Sequence, residues 1–170
     1  KVGEPDTGTP VAVVPKPLRQ LTFLSAVALT ATLVSGTLVT AAGPHAGDKS
    51  PQRTVPRLEV EIVTLAHLHG TLLVAYLCLL IGVAAGLLAV RAPADSIRKL
   101  WVLLAMVVAQ GVIGFVQYHT GVPAVLVALH VAGAAACTAG TAVLWASMRQ
   151  RTQPESVTSG LDLQREVALP

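Results

Sequence analysis

The sequence predicts an all-α integral-membrane four-helix bundle with both termini in the cytoplasm. Three observations carry this. The 170 residues have a mean hydropathy of +0.66 and are 53% hydrophobic. Only 12% are charged, against roughly a quarter in soluble domains. The apolar residues are gathered into uninterrupted runs, and a run of ~20 residues crosses a hydrocarbon core as a helix.

The same composition excludes other classes. Aromatic residues make up 4% of the chain and no stripe alternates basic with aromatic side chains, so nucleic-acid binding has no support. Cys78 and Cys137 both fall inside apolar runs and read as small apolar residues rather than disulfide partners. There is no nucleophile elbow, phosphate loop or zinc-ligand spacing, and no acidic residue lies inside a span.

Residues 1–17 hold four prolines and no helical period; they read as a flexible Pro-rich leader or linker. The four-span bundle is expected over 18–148. No residue between Arg19 and Asp48 is charged, which places the first span at about 21–42. Ala41-Ala42-Gly43 resembles a signal-cleavage site, but the apolar run exceeds the ~7–15 residues of a signal core. A polar loop covers 43–59, and Glu61 and Arg91 bracket a second span at about 62–90. After the basic loop 91–99, Leu100–Met148 carries no charge at all. As one helix it would exceed ~70 Å at ~1.5 Å per residue, far beyond a core of ~30 Å, so it must turn back. His119-Thr120-Gly121-Val122-Pro123 is the place, with glycine to permit the turn and proline to start the next helix. This gives spans at about 100–118 and 123–148, followed by a polar tail, 149–170, expected to be disordered.

Lysine and arginine set the orientation. Lys1, Lys16, Arg19, Arg91, Arg98, Lys99, Arg149, Arg151 and Arg165 lie on one side, and Lys49, Arg53 and Arg57 on the other. The first group is assigned to the cytoplasm and the loop 43–59 to the outside of a bacterial plasma membrane.

Histidines in apolar runs are costly and tend to mark function. Spans two and four both run inward, and His69 and His130 lie at matched positions along them, each ~12 Å below the outer surface. Two level imidazoles on two helices suit the axial ligands of a haem held in the bundle. The propionates would then face the outer loop, where Lys49, Arg53 and Arg57 can pair with them. Gly133, Ala134, Cys137 and Thr141 share the His130 side and let a flat ring approach the backbone, although small-residue stripes also simply pack helices. His67 and His69 are two positions apart and face nearly opposite ways, and periodicity does not choose between them. Gln110 lies near the depth of the histidines, either lining the pocket and donating to a ligand imidazole or bonding a neighbouring helix. His45 belongs to a loop that either folds over the haem edge or simply turns; His119 reads as a loop residue.

Three stretches, GTLVTAAGPHAGD (36–48), AHLHGTL (66–72) and QGVIGFVQYHTGVPAVLVALHVAGA (110–134), resemble the C-terminal half of bacterial haem A synthases, in that family's order and spacing. The resemblance covers roughly 18–148. It implies an oxidoreductase built of two four-helix halves, converting haem O to haem A for cytochrome c oxidase assembly. It also implies a haem b in this half, ligated through iron by His69 and His130, which selects His69 over His67. Position 119 is commonly aromatic in that family. The family's catalytic glutamate belongs to the other half, so this half alone is expected to lack the oxidising centre, with the leader as the linker between halves. The implied partners are the lipid bilayer, the N-terminal half, haem O synthase and an electron acceptor. Two other readings are a stand-alone b-type electron-transfer cytochrome and a cofactor-free structural membrane module.

Overall fold

The computed structural model describes residues 9–43 and 58–151. Its elements are β1 (Pro10–Ala12), α1 (Lys16–Ala42), α2 (Ile62–Ala89), α3 (Ala94–His119), α4 (Ala124–Ser147) and β2 (Arg149–Arg151). All four helices are long and apolar enough to cross a membrane. The protein is therefore an all-α, multi-pass membrane bundle.

Prolines mark three of the helix starts. Pro15, Pro93 and Pro123 occupy the N-cap positions of α1, α3 and α4, where a missing N–H removes no intrahelical bond. Two helices begin earlier than the apolar runs suggest. α1 starts at Lys16 rather than near Leu21, and α3 at Ala94 rather than near Leu100. The first turn of α3 is polar, and Asp95 pairs there with Arg98 and Lys99, the spacing that supports a helix in water. The turn between α3 and α4 falls where the glycine and proline placed it. Gly121 has φ 78°, and the Val122 N–H closes the helix end on the Gln117 carbonyl at 2.9 Å. Val122 itself has φ 59°, a conformation that costs a β-branched residue energy.

The leader and tail are not featureless. β1 and β2 pair antiparallel, with Val11 opposite Gln150, and the Val13 N–H donates to the Met148 carbonyl at 3.0 Å. Val14 and Met148 are buried beneath the bundle. Short paired strands thus lie within 9–17 and 149–151, stretches expected from sequence to belong to a flexible leader and a disordered tail. Strands this short carry no readable period, and each is held by a partner at the far end of the chain. Residues 1–8 and 152–170 lie outside the described residues.

The helices form two antiparallel hairpins. α1 packs closely on α2, and α3 on α4; contacts between the hairpins are sparser, and α2 and α4 face each other along a diagonal without their backbones meeting. The faces are arranged for lipid. Phe23, Val34, Val74, Ile81, Val112, Phe115 and Val125 point outward. Thr22, Ser25, Thr32 and Ser35 of α1 are buried, each hydroxyl donating to a carbonyl three or four residues earlier. Small side chains of this kind let helices approach, which accounts for the tight α1–α2 seam.

The apolar core is uneven along the bundle. Tyr76, Leu80, Val83, Leu87, Leu100, Leu103, Val107, Leu144 and Met148 fill the half that carries the strands. In the opposite half Leu65 is the buried large apolar side chain among the described residues. That less filled half holds the histidine pair.

Candidate functional site

The site lies between the two hairpins, where the close-packed core ends. α2 contributes His69 and α4 contributes His130, both half-buried, with ring centroids 6.3 Å apart and planes inclined at 70°. One imidazole thus comes from each hairpin, across the looser of the two kinds of interface.

His69 is oriented from α1. Its Nδ1 lies 2.9 Å from the Thr32 carbonyl and 3.1 Å from Ser35 Oγ. A carbonyl only accepts, so Nδ1 carries the proton and the lone pair sits on Nε2. The Ser35 hydroxyl already donates to the same Thr32 carbonyl at 2.8 Å. Neither His69 Nε2 nor His130 Nε2 has a hydrogen-bond partner among the described residues.

Two glycines make room for the rings. A Cβ on Gly36 of α1 would stand 3.0 Å from His69 Cε1, and one on Gly114 of α3 would stand 3.2 Å from His130 Cε1. In each hairpin, therefore, the histidine of one helix lies against a glycine of the other. Gln110 of α3 is seated similarly: a Cβ on Gly133 would overlap its amide nitrogen. Gln110 Oε1, Gln117 Oε1 and His130 Nδ1 are buried without a hydrogen-bond partner among the described residues, although buried polar atoms are ordinarily satisfied. This half of the bundle thus offers polar atoms that the described residues do not use.

Below the pair, the Tyr76 hydroxyl meets Thr141 Oγ1 at 2.9 Å. This closes the floor of the site on the core. Cys137 is buried at the same end and Cys78 is exposed, both as free thiols.

The candidates chosen from sequence separate cleanly. His69 and His130 are brought together. Gln110 lines the site against Gly133 but bonds neither imidazole. His67 is exposed on the outer face of α2. His119 is exposed at the end of α3, its ring tilted against Phe115 at 4.4 Å and edge-on to Tyr118 at 5.4 Å. Lys49, Arg53, Arg57 and His45 lie outside the described residues. Sequence reasoning missed Thr32, Ser35, Gly36 and Gly114. A glycine within an apolar helix was the available signal, but nothing local says which ring it faces.

Chemically, two imidazoles sharing one metal ion through nitrogens at about 2 Å have ring centres ~6 Å apart, which the observed spacing matches. The pair supplies two donors. No group of three or more His, Cys, Asp or Glu side chains occurs among the described residues.

Fold and site together define a membrane four-helix bundle with a histidine pair suspended between two helical hairpins. Comparison with protein-family models, with curated proteins and with solved structures gave no match for this chain.

Proposed function

We propose that the chain is a haem b-binding bundle of the haem A synthase type, corresponding to the C-terminal half of that family, in which His69 and His130 would hold the haem iron. The observation that carries this reading is the 6.3 Å spacing of the two rings across the gap between hairpins. The free Nε2 of His69, the glycines beside both rings and the unused polar atoms on α3 and α4 support it.

In this reading the Thr32 carbonyl holds His69 in the tautomer that leaves Nε2 available, an arrangement that metal-bound histidines regularly show. Gly36 and Gly114 fix where each ring stands. Gln110 borders the pocket, and Tyr76 with Thr141 seals it from the core. Lys49, Arg53 and Arg57 supply positive charge to the propionates. Bound there, haem supplies a one-electron couple, and the chain serves haem O oxidation as the electron-relay half of the intact protein. The N-terminal half would carry the oxidising centre, with haem O synthase and an electron acceptor as partners. The strand-bearing end faces the cytoplasm of a bacterial plasma membrane, as the lysine and arginine distribution indicates.

The test is a reduced-minus-oxidised spectrum of the purified chain in detergent after haem b is supplied. A low-spin b-type signal is expected, lost in both His69→Ala and His130→Ala and kept in His67→Ala. A signal that survives either of the first two substitutions removes that residue from the pair.

A further inference from the structure

A groove on the lipid-facing surface between α3 and α4 combines two features that the histidine site does not use. It has a volume of about 230 Å³ and an apolar bed that includes Val102, Met106 and Val143. Gly140 forms part of its wall, and the missing side chain lets Leu103 pack close beneath, since a Cβ there would stand 3.1 Å from Leu103 Cδ1. At the strand-bearing end the same groove is bordered by Arg98 and Lys99. Both are bonded to Asp95, so the three side chains carry one net positive charge. Arg98 is 77% exposed and spends one guanidinium nitrogen on Asp95, leaving donors for another anion.

We propose that this groove binds an anionic phospholipid, with an acyl chain over Gly140 and the headgroup phosphate on Arg98 and Lys99. An apolar trough beside a hydrocarbon solvent fills with a hydrocarbon chain. The cations at its end then select lipids by charge, as basic side chains at a membrane surface do. The complementarity is of both kinds at once: a chain-shaped apolar bed and a phosphate-binding end, separated along the helix axis as the two parts of a phospholipid are.

The chain's only tryptophans are Trp101 and Trp145, and Trp101 adjoins the groove residue Val102. In a Trp145→Phe background, quenching of Trp101 by brominated phosphatidylglycerol is compared with quenching by brominated phosphatidylcholine in mixed vesicles. A preference of roughly five-fold for the anionic lipid is expected. Arg98→Gln with Lys99→Gln leaves Asp95 negative and abolishes it; Asp95→Asn leaves both cations unpaired and increases it. Gly140→Leu lowers quenching by either lipid. Helix content by circular dichroism, unchanged in all four, shows that each variant folds. Equal quenching by the two lipids in the parent, or a preference indifferent to Asp95→Asn and to the double substitution, overturns the proposal. So does displacement of the brominated lipid by inorganic phosphate alone, which would show a phosphate site without a chain groove.

Discussion

The hydroxyl of Tyr76 lies 2.9 Å from Oγ1 of Thr141, a hydrogen bond across the diagonal between α2 and α4. Thr141 spends its own proton on the Cys137 carbonyl at 2.9 Å, so Tyr76 is the donor. Tyr76 and Thr141 are both buried, and the backbones of α2 and α4 do not otherwise meet. The bond therefore ties together the two helices that present His69 and His130.

Tyr76→Phe removes this bond and leaves Thr141 satisfied. The expected loss is about 0.6 kcal/mol, the average for an interhelical bond in a membrane. Thr141→Val leaves the tyrosine hydroxyl buried without an acceptor and is expected to cost more, ~1–3 kcal/mol. Unfolding in mixed detergent micelles measures both. Equal losses would mean that the hydroxyl finds another partner.

The Gly36 backbone stands close enough to His69 that a methyl group there forces the ring to move. Gly36→Ala is expected to cost ~1–3 kcal/mol, as overpacking does, and to lower haem occupancy. Gly70, one residue beyond His69, has nothing near its missing Cβ. Gly70→Ala is expected to leave haem binding intact and to add up to ~1 kcal/mol of helix stability. Thermal unfolding with and without haem separates the two outcomes.

Gly133 and Gln110 are expected to behave as a coupled pair. Gly133→Ala places a methyl where the Gln110 amide now lies and should destabilise by ~1–3 kcal/mol. Shortening the glutamine in Gly133→Ala/Gln110→Ala should recover most of that loss. A double variant as unstable as the single one would show that the methyl meets backbone instead.

Val122 sits at φ 59° between Gly121 and Pro123, where an L side chain pays ~1–2 kcal/mol. Val122→Gly is expected to raise the unfolding free energy by about 1 kcal/mol, because glycine takes this conformation without the clash. A lower melting temperature in that variant would argue that the valine side chain contributes more than its backbone costs.

The extent of the spans was legible in the sequence because run length is a local property: a stretch such as Leu100–Met148 without charge has to cross, turn at Gly121 and cross again. The starts of α1 and α3 were less legible, since polar first turns at Lys16 and Asp95 carry no hydropathy signal. The β1–β2 pairing was invisible, because the residues that hold Val11 and Gln150 in place are at opposite ends of the chain. The matched heights of His69 and His130 followed from counting residues along parallel helices.

Chain order and hydropathy by themselves determined a membrane four-helix bundle with two histidines at one level. Periodicity left His67 and His69 equal and the family resemblance chose His69; only the tertiary structure decided that a glycine of the neighbouring helix stands beside each inward ring. The rotation of a helix about its own axis is set by what it packs against. For α2 that is the small polar face of α1, where Thr32, Ser35 and Gly36 leave a carbonyl and a gap that an imidazole fills.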